Sequence, residues 1–380
     1  MRLALTEDQE LIAKTARDFV AERSPVTRMR ALRDAGEPPG YSVPLWKEMA
    51  ELGWQGIAFP EEFGGAGLGF AELVLVLEAL GGNLAPEPFL SNVLLGGQAL
   101  LLGGSEAQQS AWLPSVVNGE KTVALAYQER DSRYDVNHAA TTASKTSAGF
   151  TLEGEKAHVF GGADADALIV SARTSGEPGD AEGISLFLVP ADSPGLTREP
   201  QTRVDSLPAA VVRLAAVAVP GDALLGAEGQ GGSLLERVVD RATVGLCAEM
   251  LGGMSAAFAL MLDYLKEREQ FGTRIGTFQA LKHRAARVFI EIELARSTVM
   301  AAARAVDADD AELQKLVSLA KARCSDAYLL AGNEGVQMFG GVGMTDEYDI
   351  GLYLKRARAA ELTFGDAAWH RDRWARLSGY

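Results

Sequence analysis

The spacing of apolar residues changes twice along the chain and divides it into three stretches. In the first stretch apolar residues recur at helical spacing, beginning behind Thr6-Glu7-Asp8-Gln9, a capping-box pattern typical of a helix start. The pattern predicts further helices over 44–52, 70–80 and 91–102, with the glycine pair at 81–82 as a stop signal. The first third of the chain is therefore predicted to be helical.

Near Lys121 the pattern changes to short runs rich in Val, Ile and Leu, separated by clusters of Gly, Pro, Asp and Ser. Such runs predict an antiparallel β-domain. The segment 131–149 is polar and rich in turn residues, and it predicts long loops. The predicted strands are 123–126, 151–153, 168–171, 184–189 and 211–219.

From about Ser233 the helical spacing returns with longer elements. This order of elements predicts an α+β chain, mostly α, with an N-terminal helical domain over 1–120, a middle β-domain over 121–228 and a C-terminal helical bundle over 229–380. The predicted long helices are 244–266, 278–305, 311–338 and 349–363.

Composition and charge narrow the possible partners. The 380 residues are enough for two or three domains with a large core. The chain carries 51 acidic against 36 basic residues, a net charge of −15. Such a field repels phosphate backbones, so no nucleic-acid partner is expected, although a local basic pocket can still bind an anionic cofactor.

Two features address the compartment and the membrane. Cys247 and Cys324 lie in apolar helical stretches, which predicts buried small hydrophobic side chains and a reducing compartment. The stretch 244–262 is long enough to span a bilayer, but Glu249 at its middle favours a helix buried inside the protein. With no signal-peptide pattern at the start, we expect a cytoplasmic protein without a membrane span.

Few motifs carry chemistry. The sequence has no serine-nucleophile, P-loop or metalloprotease motif, and its four histidines lack metal-ligand spacing, so no metal site is predicted. Two segments stand out. The first segment is 268–279. In it Arg268 can bind a phosphate, Phe271 can stack on a ring, and Gln279 can form hydrogen bonds with the edge of a nucleotide base.

The second segment is Gln337-Met338-Phe339-Gly340-Gly341-Val342-Gly343, at the end of a predicted long helix. Paired glycines allow a backbone to approach a phosphate or a sugar closely. Taken alone, each segment is more typical of a helix C-terminus with a surface arginine.

Together the two segments resemble the acyl-CoA dehydrogenase family, whose pattern is Arg-x-x-Phe-Gly-x-x-Ile-x-x-x-Gln followed later by Gln-x-x-Gly-Gly-x-Gly. The resemblance covers the whole chain and includes the Pro60-Glu61-Glu62-Phe63-Gly64-Gly65 turn. It implies an N-terminal helical domain, a β-barrel-like middle domain and a C-terminal four-helix bundle. It also implies an oxidoreductase of fatty acid or steroid degradation that binds FAD across a subunit interface. The implied partners are an acyl-CoA substrate, a homologous subunit in a homo- or heterotetramer, and an electron-transfer flavoprotein.

The family reaction, as the resemblance implies it, needs three contributions. A carboxylate removes the α-proton of an acyl-CoA thioester, the flavin accepts the β-hydride, and hydrogen bonds to the thioester carbonyl stabilise enolate-like charge. The half of the flavin site that holds the nucleotide end is complete in this sequence. It is matched by Arg268, Gln270, Phe271, Gln279, Gln337, Gly340 and Gly341.

The half that surrounds the flavin ring departs from the family pattern. The segment 126–133 reads Ala-Tyr-Gln-Glu-Arg-Asp-Ser-Arg where the family has Thr-Glu-Pro-x-x-Gly-Ser-Asp. Residues 158–161, His-Val-Phe-Gly, replace Trp-Ile-Thr-Asn. The catalytic Tyr-Glu-Gly-Thr maps onto 364–367, which places Gly365 at the position of the general base.

Two carboxylates remain as candidate bases. Asp366 is one residue beyond Gly365, and its alternative interpretation is a helix cap. Asp240 precedes Arg241 near the start of the buried helix, where some relatives place the base, although its spacing to Arg268 is two residues longer. Its alternative interpretation is an acid at a helix N-terminus.

The sequence therefore contains the residues by which a subunit of this family contacts the FAD of its neighbour. It lacks the residues that would surround its own flavin ring and the general base. This pattern resembles the degenerate small subunits of heteromeric acyl-CoA dehydrogenases, such as the pimeloyl-CoA dehydrogenase small subunit. The leading hypothesis is one subunit of a heteromeric FAD enzyme. The alternatives are a self-sufficient dehydrogenase with Asp240 or Asp366 as base, and a non-catalytic scaffold subunit.

Overall fold

A computed structural model describes residues 4–380, which form two compact units. The helical unit contains residues 4–34, 69–85 and 243–380, and the mixed unit contains 35–68 and 86–242. The chain thus leaves and re-enters each unit, a division that differs from the three consecutive domains of the sequence prediction. Those domain boundaries stay a prediction.

Eleven α-helices occur within residues 4–380, and they confirm the helices predicted for the first and last thirds. The first helix begins at the predicted capping box, in which Gln9 N donates to Thr6 Oγ1 and Thr6 N donates to Gln9 Oε1. The helices are α1 (Glu7–Arg23), α2 (Val26–Ala35), α3 (Val43–Glu51), α4 (Phe70–Gly82), α5 (Gln98–Gly103), α6 (Glu106–Val117), α7 (Gly231–Glu267), α8 (Gln279–Asp307), α9 (Leu313–Phe339), α10 (Ile350–Leu362) and α11 (Ala367–Leu377).

Some helix boundaries differ from the sequence prediction. The helix predicted over 91–102 is a π-helical segment, Phe89–Gly97, that continues into α5. The helix predicted to begin at 244 starts at Gly231, so α7 runs from the mixed unit into the helical unit. Its early residues combine apolar and charged side chains, which hid the continuation of the helix.

The mixed unit is built on an eight-stranded sheet whose spatial order is β6-β7-β3-β2-β4-β5-β8, with β1 paired to β4. Most pairings are antiparallel, as predicted, whereas β1 and β2 each pair with β4 in parallel. The segment predicted as long loops contains β2, whose residues are polar and mostly exposed although it pairs with β3 and β4. The strands are β1 (Val123–Ala126), β2 (Thr142–Thr146), β3 (Gly149–Phe160), β4 (Ala167–Arg173), β5 (Ile184–Pro190), β6 (Leu196–Gln201), β7 (Ala209–Pro220) and β8 (Leu224–Leu225).

Glycines in the helical unit allow α4 and α7 to cross in contact. A Cβ atom on Gly81 would lie 2.0 Å from the carbonyl oxygen of Glu249, and one on Gly252 would lie 1.9 Å from that of Glu78. The glycine pairs in the two helices are therefore packing positions, and Gly81 lies within α4 rather than stopping it.

The apolar α7 behaves as a core helix. Within residues 4–380 it is the only helix long and apolar enough to cross a bilayer, and 67% of its most apolar window is buried. Glu249 at its middle accepts a hydrogen bond of 2.5 Å from Arg356 of α10, which compensates the carboxylate inside the unit. Cys247 and Cys324 are buried and free, as the sequence predicted.

Candidate functional site

A β-hairpin follows α7 and carries the first predicted flavin-binding segment. Its strands are β9 (Glu269–Gln270) and β10 (Thr273–Arg274), paired antiparallel. Phe271 and Gly272 form the turn, both with positive φ (57° and 77°), as a two-residue hairpin turn requires. A bulky side chain is costly in this conformation, by about 1–2 kcal/mol, and Phe271 is nonetheless 91% exposed. The hairpin therefore holds an aromatic ring out to solvent.

The second predicted segment lies at the end of α9. Gln337 is exposed on the last turn of the helix, and Gly340 ends it with φ 70° and ψ −145°, a conformation open to glycine. A Cβ atom added to Gly340 or Gly341 would meet no atom within 4 Å. The backbone of these two glycines is thus accessible to a bound group.

Packing brings these two segments to the same end of the helical unit. The rings of Tyr264 in α7 and Phe339 in α9 stack with their centroids 4.2 Å apart. Leu265 and Ile275 pack in one apolar cluster with Met338. We call the exposed predicted residues at this end the nucleotide face; they are Arg268, Gln270, Phe271, Gln279, Gln337, Gly340 and Gly341.

The nucleotide face fits the phosphate and adenine end of a dinucleotide. Arg268 makes no side-chain hydrogen bond or ion pair within residues 4–380, so its guanidinium is available to an anion. Phe271 offers a ring face, and the two glycines offer close backbone approach. These residues would hold the nucleotide end of FAD.

Gly365, which the resemblance places at the general-base position, has no room for a side chain. Gly365 is buried with φ 115°, and a Cβ atom there would lie 2.6 Å from Trp369 Cε3 and 2.9 Å from His370 Nε2. A carboxylate cannot be placed on this residue without moving α11. The packing of Trp369 and His370 against this turn therefore leaves no space for a catalytic side chain at Gly365.

Two buried side chains hold this turn. Lys321 Nζ donates to the carbonyl oxygens of Glu361 (2.9 Å) and Gly365 (2.7 Å), and burial lowers the Lys321 pKa to about 8. His370 lies 3.1 Å from the carbonyl oxygen of Phe364 through Nε2, and burial lowers the His370 pKa to about 3. A neutral imidazole that donates from Nε2 satisfies that contact.

Asp366 caps α11. Its Oδ1 accepts a hydrogen bond of 2.8 Å from Trp369 N. The interpretation of Asp366 as a helix cap is thus what the structure shows, and the carboxylate is engaged next to the turn. A catalytic role for Asp366 stays a prediction.

Asp240 lies in a different setting. It is the tenth residue of α7, so its interpretation as an acid at a helix N-terminus is wrong. The residue is 4% exposed and belongs to the mixed unit. The adjacent Arg241 donates a hydrogen bond of 2.7 Å to Gln98 Oε1 of α5. A buried carboxylate is a residue type that can serve as a general base. A catalytic role for Asp240 stays a prediction.

In the mixed unit, the segment that replaces the family's flavin-ring loop is tied down by an ion pair. Lys156 Nζ lies 2.7 Å from Glu129 Oε1, and the lysine side chain is fully buried. Burial lowers the Lys156 pKa to about 8, whereas Lys156 lowers the Glu129 pKa against the opposing effect of desolvation. Glu129 also accepts hydrogen bonds from the backbone N–H groups of Ala140 (2.7 Å) and Thr141 (3.0 Å). Its carboxylate is therefore occupied in organising the loop.

The end of β3 offers no hydroxyl to a flavin ring. Phe160, which the resemblance places at the family's threonine position, is buried, and the Arg203 guanidinium lies 4.5 Å over its ring. His158, at the tryptophan position, lies in a β-bulge with φ 52°. Partial burial and the charge of Arg203 lower the His158 pKa. The residues of this half do not fit the family's flavin-ring contacts.

Sequence reasoning missed three groups that shape these sites: the Lys156–Glu129 pair, and the Lys321 and His370 side chains that hold the turn at Gly365. A lysine inside an apolar helical or β-pattern is the only sequence signal for the buried cations. The carboxylate that binds Lys156 is 27 residues away, and the backbone carbonyl of Gly365 that accepts from Lys321 is 44 residues away, so neither contact leaves a local motif.

Comparison with known proteins gives the family. Family models for the acyl-CoA dehydrogenase N-terminal, middle and C-terminal domains match residues 6–120, 124–217 and 229–378. Acyl-CoA dehydrogenase FadE12 of Mycobacterium tuberculosis is 32% identical over 335 residues, 85% of this chain and 84% of that protein.

Two solved structures share the fold over the whole chain. Butyryl-CoA dehydrogenase from Megasphaera elsdenii has a TM-score of 0.93 at 27% identity and covers 100% of both chains. A chain of the ChsE4-ChsE5 complex from Mycobacterium tuberculosis has a TM-score of 0.89 at 27% identity and covers 100% of this chain and 99% of that one. These matches confirm the predicted fold and the prediction of FAD as cofactor. The chain belongs to the acyl-CoA dehydrogenase family of FAD-dependent oxidoreductases.

Proposed function

We propose that this chain is one subunit of a heteromeric acyl-CoA dehydrogenase, in which it binds the nucleotide end of the FAD held by a homologous catalytic subunit. One contrast inside the helical unit carries the proposal. The nucleotide face is open and Arg268 is available, whereas the turn at Gly365 has no room for a base. A chain with this fold also occurs in the ChsE4-ChsE5 complex, whose name gives two components, and this supports the proposal.

In the complete enzyme, bound FAD supplies the hydride acceptor for α,β-dehydrogenation of an acyl-CoA thioester. This chain contributes binding and orientation. Arg268 neutralises pyrophosphate charge, Phe271 stacks on the nucleotide, and Gly340 and Gly341 let the backbone approach it. The partner subunit provides the base and the flavin-ring contacts, since Phe160 and Gly365 cannot. We further propose a bulky or unusual acyl group, such as a steroid side chain, an electron-transfer flavoprotein as acceptor, and a cytoplasmic location.

The test is to purify the chain alone and together with a homologous subunit. Bound FAD and ferrocenium-coupled dehydrogenation are then measured for both preparations. We expect the co-purified complex to carry FAD and turn over, and the solitary chain to do neither. Full FAD loading with turnover by the solitary chain would refute the heteromer.

A matched pair of variants tests the nucleotide face. We expect Arg268→Ala to lower the FAD content of the complex at least tenfold, because a charge-assisted phosphate contact contributes about 1.5–3 kcal/mol. Arg274→Ala is the control, an exposed arginine of the same hairpin outside the predicted set. If the chain is a scaffold without a role in flavin binding, both variants retain FAD equally.

The second candidate function is a self-sufficient dehydrogenase with Asp240 as the base, favoured by the burial of this carboxylate. For this candidate, the solitary chain binds FAD and Asp240→Asn lowers its kcat by at least two orders of magnitude, the typical contribution of a general base. Asp366→Ser is the companion variant, since serine preserves the cap of α11 and removes the carboxylate. If the complex is active and Asp240→Asn leaves its kcat unchanged, the base resides in the partner subunit.

A further inference from the structure

A cavity lies inside the helical unit, between α1, α4, α7 and α8. Its volume of about 470 Å³ is typical of a small-molecule site. We call it the bundle cavity. The residues within 4–380 that line it include neither Gly365 nor any residue of the nucleotide face. The bundle cavity is therefore a space to which the proposed flavin contacts give no role.

The interior of the bundle cavity is apolar. Leu75 of α4, Leu251 of α7 and Met300 of α8 line it with buried side chains. Ala13 and Ala79 are also buried there, and their small side chains leave the space open. Atoms that face an empty cavity lack dispersion contacts, so an apolar body that fills the space is stabilised by contact and by removal from water.

The cation on the α8 side of the cavity is already paired. Arg296 lies 2.5 Å from Glu78 and 3.5 Å from Glu293. The two carboxylates keep the Arg296 pKa above its usual value despite desolvation. Because the protein itself neutralises this guanidinium, it offers little attraction to an anionic ligand.

The cation on the α1 side of the cavity has no such partner. Arg17 lines the cavity, and its guanidinium makes no hydrogen bond or ion pair with any residue in the described range 4–380. The neighbouring carboxylate, Asp18, is paired with Lys14 at 2.6 Å. The bundle cavity thus combines an apolar interior with one available guanidinium at its α1 side.

We propose that the bundle cavity binds a small apolar carboxylic acid, with the hydrocarbon body between the helices and the carboxylate against Arg17. A guanidinium presents parallel N–H donors that match the two oxygens of a carboxylate. An acyl-CoA thioester lacks this group, since its acyl carbon carries no charged oxygen. The ligand class is therefore the free acid and not the thioester. The inference does not depend on the proposed catalytic function.

The first test measures binding of octanoate to the purified full chain by isothermal titration calorimetry. We expect one site per chain, with weaker binding of octanol, which has the same hydrocarbon body without the charge. We expect Arg17→Ala to raise the Kd of octanoate at least fivefold, at the upper end for an exposed ion pair, and to leave that of octanol unchanged. Lys14→Ala is the control, because Lys14 is an exposed cation of α1 outside the cavity lining.

The second test locates the hydrocarbon body. Ala256 is half-buried in the cavity lining, and Ala256→Trp places a large ring in the space. We expect this variant to lose binding of both octanoate and octanol. Far-ultraviolet circular dichroism verifies that each variant is folded. If Ala256→Trp does not fold, Ala21→Trp replaces it, since Ala21 is an exposed residue of the same lining.

Each outcome decides the proposal. A wild-type chain that binds no octanoate would overturn it. Equal affinity for octanoate and octanol, or an unchanged octanoate Kd in Arg17→Ala, would refute the carboxylate contact and with it the ligand class. Octanoate binding that survives a folded variant with the filled cavity would place the ligand elsewhere, which also overturns the proposal.

Discussion

Lys321 Nζ donates a hydrogen bond of 2.7 Å to the carbonyl oxygen of Gly365, the residue that the resemblance places at the family's catalytic position. The lysine is fully buried and also bonds to the carbonyl oxygen of Glu361 at the end of α10. A side chain of α9 thus fixes the turn between α10 and α11. The contacts from Lys321 are made to backbone carbonyl oxygens, so they do not depend on a side chain at Gly365.

The first prediction concerns Gly365 itself. We expect Gly365→Ala to lower the free energy of unfolding by about 1–3 kcal/mol, because a Cβ atom at φ 115° would clash with Trp369 and His370. We expect Gly365→Glu to lower the free energy of unfolding at least as much as Gly365→Ala, and to create no dehydrogenase activity. Urea denaturation and the ferrocenium assay check both. Gly341→Ala is the control for stability, since its added methyl meets no atom within 4 Å. Activity gained by Gly365→Glu would contradict this account.

The second prediction is acid lability caused by His370. Its pKa is about 3 in the folded protein, below the ordinary value of 6.5, so the unfolded chain binds more protons between these values. Stability from this group is complete above pH 6.5 and is lost as the pH falls toward 3, with a slope of up to about 1.4 kcal/mol per pH unit. We expect His370→Gln to reduce this slope in urea denaturation between pH 6.5 and 4. The exposed His283→Gln on α8 is the control, and an equal effect of the two variants would exclude His370 as the cause.

The third prediction concerns Lys156 and Glu129 in the mixed unit. Lys156→Met leaves the largely buried Glu129 carboxylate without its cation, which costs about 3–5 kcal/mol of unfolding free energy. We expect the double variant Lys156→Met with Glu129→Gln to recover part of that loss, because no buried charge remains. Lys145→Met breaks an exposed pair with Glu228 and should cost at most about 1 kcal/mol. If the buried and exposed lysines prove equal, the pair does not organise the loop.

The fourth prediction separates stability from flavin binding at Phe271. Asparagine tolerates a positive φ better than phenylalanine, so Phe271→Asn should raise the free energy of unfolding by up to about 1 kcal/mol. The same variant lacks the ring and should weaken FAD retention by the complex. Thermal denaturation and the FAD content measure the two effects. A variant that retains FAD as well as the wild type would show that the exposed ring has another role.

Sequence patterns predicted the type of most elements, because burial repeats at a fixed period in helices and strands. The apolar run of 211–219 and the capping box at Thr6 are local signals, and both appear in the structure as predicted. The strand β2 was missed because its side chains alternate only weakly and mostly face water. The start of α7 was missed because its first turns mix charged and apolar residues.

The sequence by itself determined the family and the three-part order of elements, since both depend on residue type and spacing along the chain, and it predicted the residues of the nucleotide face. It also predicted that Gly365 stands where the family has its general base. Only the tertiary structure decided that this position cannot accept a side chain, because the obstacle consists of Trp369 and His370 packed against a turn that Lys321 holds from another helix. Contacts between residues far apart in sequence leave no local pattern, so buried cations and close packing become visible only when the chain is folded.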